Sequence, residues 1–293
     1  MEMNLHEVTT PVRPAATVML LRDGAAGLQV FLLKRHGLSD VLGGAYVFPG
    51  GKVDGRDAEL DVNRHLDRPE HELARSLAEP LPDSLSALGL YVGAIREVFE
   101  ECGVLFALGA TAADAQRGQS LLREGHAFDE MLALLSLRLH TRNLLPWSRW
   151  VTPKVPTVTN KRFDTRFFVS ALPMHQTAQH DNREATDSAW MTPRDALQSY
   201  WQGDIEFAPP QIMSLAQLSH FAAVADVLEF ARANPPPLIA PEPSLQDGLR
   251  TVSYPGDALH PVRRRALPGP TRLVYRNKRF EPPDGFESLF QAW

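Results

Sequence analysis

The run Arg96-Glu97-Val98-Phe99-Glu100-Glu101-Cys102-Gly103-Val104 places three carboxylates at i, i+3 and i+4, which puts them on one side of a helix. Like charges at those spacings cost a helix roughly 0.2–0.5 kcal/mol per pair, so a cation is expected to offset them. An all-oxygen cluster of this kind selects a hard divalent ion, Mg²⁺ or Mn²⁺. Upstream, Phe48-Pro49-Gly50-Gly51 reads as a turn whose glycines, Gly50 and Gly51, let backbone come close to metal and phosphate. A hard-metal site beside a glycine turn points to phosphate chemistry. The competing reading of three glutamates is a solvated acidic face on a surface helix. Arg96, the terminating Gly103 and the upstream turn weigh against it.

The helix itself is legible. With Ile95 at zero degrees and about 100° per residue, Leu88, Tyr91, Val92, Val98, Phe99 and Cys102 fall within about 60° of Ile95. Glu97, Glu100 and Glu101 fall roughly 120–200° away on the same wheel. Asp83 or Ser84 can cap the start after Pro82, and Gly103 stops the end. Gly93, one turn before Glu97, is expected to leave bare surface where a ligand approaches. Cys102 lies on the apolar side and reads as a small buried hydrophobe, not a nucleophile.

At these residues the chain resembles the Nudix hydrolases. Their signature runs Gly, five residues, Glu, seven residues, then Arg-Glu-aliphatic-x-Glu-Glu-x-Gly-aliphatic, and Arg96–Val104 matches its second half throughout. The first half departs: Asp57, not Glu, follows Gly51, and the 38 residues 58–95 stand where seven are usual, an insertion of about 31. An insertion inside the box resembles the coenzyme A diphosphatase branch known from peroxisomes. Tyr46-Val47-Phe48-Pro49-Gly50-Gly51, Ala94-Ile95-Arg96-Glu97 and Arg162-Phe163-Asp164-Thr165-Arg166-Phe167-Phe168 fit that branch, and the similarity spans roughly residues 14–230. The resemblance implies an α/β fold, an α/β/α sandwich around a mixed sheet, here with a helical insertion and a C-terminal extension. It also implies a diphosphatase acting on phosphorus-containing anhydrides.

On this reading Glu97, Glu100 and Glu101 are the metal ligands, and Arg96 orients them through its guanidinium fork. A further carboxylate serving as ligand or general base is expected at Glu184, whose alternative is an ordinary loop residue. Arg35, Arg162 and Arg166, with Lys34, are candidate phosphate contacts beside Gly50 and Gly51; each could instead be a solvated strand residue. Trp147, Trp150 and Phe163 could stack a base, though core packing suits them better. The substrate is expected to be a small-molecule nucleoside diphosphate derivative, with coenzyme A or an acyl-CoA leading. A nucleotide sugar or dinucleotide is the alternative, and so is a catalytically inactive, ligand-sensing Nudix module.

The elements that must hold these residues follow from pattern. Ala15–Leu21 and Leu28–Lys34 read as strands joined by a Gly-containing turn, and Ala45–Phe48 as a short strand entering the glycine turn. Helices are expected at Glu70–Ala78, Phe128–Leu139, Pro193–Trp201 with Thr192 as cap, and from Pro210 to about Ala231. Trp150–Thr152, Phe163–Val169 and Ala185–Trp190 read as strands. The expected division is a catalytic domain at 10–232, with the insertion at about 58–82. A Pro-rich connector and extension then occupy 233–293 and either pack on the core or reach a second subunit, so a homodimer stays open.

Composition bounds the rest. With 293 residues, 44% of them hydrophobic, the chain supports one large domain or a domain with extensions. A net charge of −5 argues against a nucleic-acid partner, and a single cysteine excludes an internal disulfide framework. No apolar run approaches the ~20 residues that span a bilayer, so no membrane partner is expected. Without a secretory signal or the common peroxisomal tripeptide at the end, the cytoplasm is the expected location.

Overall fold

Two apolar registers along one strand set the architecture. In β1 (Arg13–Gly24), Ala16, Val18 and Leu20 pack into one hydrophobic cluster, while the alternating Met19 and Leu21 pack into a second. A strand buried on both faces belongs at the centre of a sandwich. The computed structural model describes residues 7–37, 42–83, 85–155 and 161–292. β1 pairs antiparallel with β2 (Gly27–Arg35) and parallel with β6 (Phe163–Ala171), in the sheet order β3-β2-β1-β6-β5-β8. Here β3 is Tyr46–Val47, β5 Leu145–Val151 and β8 Leu238–Ile239; β4 (Gly50–Lys52) pairs with β1 and β7 (Ala185–Met191) with β2. The mixed sheet with helical layers is the α/β fold that the sequence pattern implied.

One face is covered by α1 (Val62–His65), α2 (Glu70–Leu77), α3 (Ala87–Cys102), α4 (Ala112–Arg123) and α5 (Phe128–Leu134). The other is covered by α6 (Pro193–Gln202), α7 (Pro209–Leu218), α8 (Val224–Ala233) and a four-stranded antiparallel sheet. That sheet comprises β9 (Glu242–Gln246), β10 (Leu249–Ser253), β11 (Arg272–Arg276) and β12 (Arg279–Glu281). Tyr254, Leu273 and Phe280 share a core with Trp147, Trp150 and the α7 side chains. The C-terminal sheet therefore packs on the core, and β8 from the Pro-rich connector extends the mixed sheet along β5. Trp147 and Trp150, each 4% exposed, are core residues and not stacking platforms.

The insertion is no loose elaboration. Leu60, Leu66, Leu73 and Leu77 lie in the same core as the catalytic helix. Ser76 Oγ and Tyr91 OH are 2.8 Å apart, and the Arg68 guanidinium lies 5.0 Å over the Tyr91 ring. Asp67 accepts from the backbone N–H groups of Thr141 and Arg142. At the insertion's far end, Glu79 accepts from Arg166 Nε at 2.8 Å and from Arg149, and both arginines also pair with Asp164. Apolar burial and a buried ion network together fasten this segment to β5 and β6.

Local signals account for most ends. The helix α3 stops at Gly103 with φ 71, and Thr192 caps α6 through the Asp195 N–H, both as expected. Its start differs: Ser86 is the cap, accepting from the Gly89 N–H, in place of Asp83, while Ser84 lies outside the described residues. The helix expected from Pro210 to Ala231 is two helices, because Asp23 in the β1–β2 hairpin accepts from the Val224 N–H at 2.9 Å and starts α8 anew. The helix expected over 128–139 ends at Leu134, where residues 137–139 instead bond the insertion: the Leu139 N–H donates to the His65 carbonyl. Among the described residues no helix is long and apolar enough to cross a membrane.

Candidate active site

Gly50 and Gly51 run antiparallel to β1, with Thr17 opposite Gly50 and Ala16 opposite Gly51. Gly50 has φ +148, and a side chain there would collide with the Ala16 carbonyl, so only glycine fits. A Cβ on Gly51 would come within 2.5 Å of the Glu97 carboxylate. The two glycines thus bring backbone against the acidic face of α3, and the Gly50 N–H donates to Glu101 Oε2 at 2.8 Å.

Arg96 is the hub of this face. Its Nε and Nη2 donate to the two oxygens of Asp57 at 2.8 and 3.0 Å, and its Nη1 to Glu97 Oε1 at 2.9 Å and Glu100 Oε2 at 3.1 Å. Nη2 also reaches the Lys52 carbonyl at 3.0 Å. Asp57, 3% exposed, binds both donors of the fork and accepts the Asp54 N–H, so the shorter acid before the insertion still reaches the catalytic helix. It can do so because Gly93 is filled, not bare: a Cβ there would stand 2.9 Å from Asp57 Oδ2. The expected open surface at Gly93 is the seat of Asp57.

Confinement of these acids raises their proton affinity. Burial, opposed by Arg96 and reinforced by Glu100, pushes Glu97 up to about 7. Burial, opposed by the Gly50 N–H and reinforced by Glu97, pushes Glu101 up to about 8. Glu100 is also raised, mainly by burial. The charge of Glu184 adds to all three shifts, which places it within electrostatic reach of the cluster. Arg96 is held well on the charged side by Asp57 and the glutamates. Burial also raises the Cys102 thiol, in keeping with a core residue.

Three neighbouring carboxylates whose ionisation is opposed by their surroundings are a donor set suited to a hard divalent cation. Among the described residues no three acidic or histidine side chains stand ready around one point; Arg96 draws Glu97 and Glu100 instead. The fit is therefore one of donor chemistry and charge.

A cleft of about 710 Å³ opens beside Glu100, Glu101 and Glu184, within the size range of small-molecule sites. Its other walls are α4, the turn into α5 and the loop 176–184; the insertion contributes none. Gln176 pins that loop by bonding both the N–H and the carbonyl of Leu105. Asp181 shapes its end, accepting from the N–H groups of Arg183, Glu184 and Ala185 at 3.0–3.2 Å.

Of the expected basic contacts, Arg35 acts on the cluster: its charge lowers Glu101, and its buried Nε has no hydrogen-bond partner among the described residues. Arg162 and Arg166 lie elsewhere. Arg162 donates to the carbonyls of Thr152 and Pro153, and Arg166, 2% exposed, is spent on Glu79 and Asp164. Neither side chain is brought to the acidic cluster: Arg166 pairs its strand with the insertion through Glu79, and Arg162 braces the backbone at Thr152 and Pro153. The sequence reading also missed α4. Its signal was present, since Thr111 and Asp114 form a reciprocal capping box at the helix start.

The glycine turn, the Arg96-centred acidic helix and the mixed sheet define the hydrolase class that carries a Nudix box. The family description NUDT19 Nudix domain matches residues 12–218, and the chain belongs to that branch of the Nudix hydrolases. The acyl-coenzyme A diphosphatase NUDT19 of Xenopus laevis is 28% identical over 85% of this chain and 76% of that protein. The human protein of the same name is 27% identical over 70% of this chain and 64% of its own. A crystal structure of a Nudix hydrolase from Alicyclobacillus acidocaldarius superposes with TM-score 0.62 and 28% identity, covering 75% of this chain and 97% of that one.

Proposed function

We propose that the chain hydrolyses the diphosphate bridge of a nucleoside diphosphate derivative, with coenzyme A or an acyl-CoA the leading substrate, using Mg²⁺ or Mn²⁺. The carrying observation is the triad Glu97, Glu100 and Glu101, held by Arg96 and the Gly50 N–H, two of whose members, Glu100 and Glu101, line a cleft of about 710 Å³. The coenzyme A preference is supported by the relatives' names and by the insertion that splits the box.

Glu97, Glu100 and Glu101 would hold the metal. Bound there, it would supply neutralisation of the diphosphate charge and a lowered pKa for the attacking water. The protein's own groups do the rest. Arg96 keeps its proton, screens repulsion among the glutamates and fixes their aim through Asp57. The Gly50 N–H holds Glu101, leaving that residue's second oxygen for a ligand. Glu184, exposed on the cleft wall and carried by the Asp181-capped turn, is placed to take a proton from the nucleophile. The Arg35 charge favours the ionised form of Glu101, the form that binds a metal.

The test is a panel of coenzyme A esters, nucleotide sugars, dinucleotides and nucleoside triphosphates incubated with Mg²⁺ or Mn²⁺ and followed by mass spectrometry. Cleavage of coenzyme A to adenosine 3′,5′-bisphosphate and 4′-phosphopantetheine is expected. Efficient cleavage of another diphosphate with coenzyme A intact rejects the substrate and keeps the reaction. No cleavage at all rejects both.

A further inference from the structure

The cleft is larger than a diphosphate needs, and its charge is not uniform. Glu100, Glu101 and Glu184 line it, and so do Arg123, Arg183 and His126. On α4, Gln116, Gln119 and Arg123 recur at i, i+3 and i+7 and so share one face. Gln119 is the member next to the catalytic helix: a Cβ on Gly103 would come 2.5 Å from its Nε2. Arg123 lies four residues further along, about 6 Å at the helical rise. This face therefore leads from the end of the acidic helix to a guanidinium.

The remaining capacity of these side chains decides what else the cleft can bind. His126 sits 3.5 Å from Glu130, and His180 bonds Ser188 Oγ, so both rings already have partners. Asp181 is spent on three backbone N–H groups. Arg123 uses Nε on the Gln119 carbonyl and one Nη2 proton on Ser120, leaving three of its five N–H groups. Arg183 is exposed on the loop 176–184, and no side-chain partner is found for it among the described residues. Two guanidiniums with unspent forks lining one cleft match a dianionic phosphate monoester, which accepts bidentate bonds.

We infer that Arg123 and Arg183 form a specificity subsite for a phosphate monoester that the substrate carries apart from its scissile diphosphate. The inference deepens the proposed function: in coenzyme A that group is the ribose 3′-phosphate. The acidic helix serves the bridge itself, and Arg123 and Arg183 select the molecules that bear the extra phosphate.

The test measures binding apart from turnover. By calorimetry, the wild-type protein should bind adenosine 3′,5′-bisphosphate about tenfold or more tightly than AMP, as expected for charge-assisted bonds to one added phosphate. Arg123→Gln and Arg183→Gln should each lower that ratio severalfold, and together bring it near one. Arg117→Gln, on the same helix but paired with Glu124 and outside the cleft lining, should leave the ratio as it is. A wild-type ratio near one, or a ratio untouched in the double variant, overturns the subsite. Coenzyme A turnover is measured alongside. A collapsing ratio without turnover supports the subsite while failing the substrate reading; turnover with no ratio fails the subsite alone.

Discussion

Asp57→Ala removes the acid that holds Arg96 from across the insertion. Both partners are buried, with side-chain exposures of 3% for Asp57 and 11% for Arg96, and the pair is bidentate at 2.8 and 3.0 Å. Removing one partner of such a pair leaves an uncompensated buried charge and costs about 3–5 kcal/mol. Glu97 and Glu100 remain on Nη1 and the Lys52 carbonyl on Nη2, so the lower end of that range is expected. For a domain of this size that is a fall in thermal midpoint of about 6–12 °C, read by calorimetry in chelator. Turnover at a temperature where the variant is folded should fall as well, because Arg96 no longer holds Glu97 and Glu100 in register. Asp57→Glu should recover much of the stability. A loss below about 1 kcal/mol in Asp57→Ala would refute the claim that Asp57 organises the site from the far side of the insertion.

Further expectations follow from the same geometry. Glu100→Gln and Glu101→Gln each remove a charge at nearly constant shape, so turnover should drop by orders of magnitude while the midpoint in chelator stays level or rises; unchanged turnover in both excludes the triad as the metal site. With folded values of about 7 for Glu97 and about 8 for Glu101 against an ordinary 4.5, the metal-free fold binds more protons than the unfolded chain between those limits. Its stability should be greatest below pH 4.5 with respect to these groups and fall as pH rises through 7 to 8, by on the order of 3 kcal/mol for Glu97. Added Mg²⁺ should restore it, and denaturant titrations across that window that are flat or rising contradict the linkage. Replacing residues 59–80 with a short linker should yield insoluble protein, since four core leucines and the Glu79 partner of buried Arg166 go with it; a soluble, cooperatively folding product would show the insertion to be dispensable.

How much of this was legible in the sequence depended on the range of the interaction that decides each feature. The acidic face, the Gly103 stop and the Thr192 cap depend on neighbours within a turn or two, and a single sequence displays them. The β1–β2 hairpin and the strand over Phe163–Val169 were visible for the same reason. Asp57 meeting Arg96, Asp23 restarting a helix at Val224 and Glu79 neutralising Arg166 depend on contacts 39 to 201 positions apart, which no local pattern reveals. Arg162 and Arg166 looked like phosphate ligands because a basic strand residue carries no mark of what it pairs with. The C-terminal sheet was illegible because short strands between prolines show little periodicity, and what holds them is the shared core around Tyr254 and Phe280. The capping box at Thr111 was readable and went unread.

The central claim is that this site adds water to one phosphorus of a diphosphate bridge. Incubation of the protein with coenzyme A and Mg²⁺ in ¹⁸O-enriched water, with both products weighed by mass spectrometry, tests it most directly. One ¹⁸O in a single phosphate-bearing fragment, adenosine 3′,5′-bisphosphate or 4′-phosphopantetheine, with a rate that climbs toward alkaline pH, is the predicted result. Fragments without label, or coenzyme A left intact along with every other diphosphate offered, would contradict it.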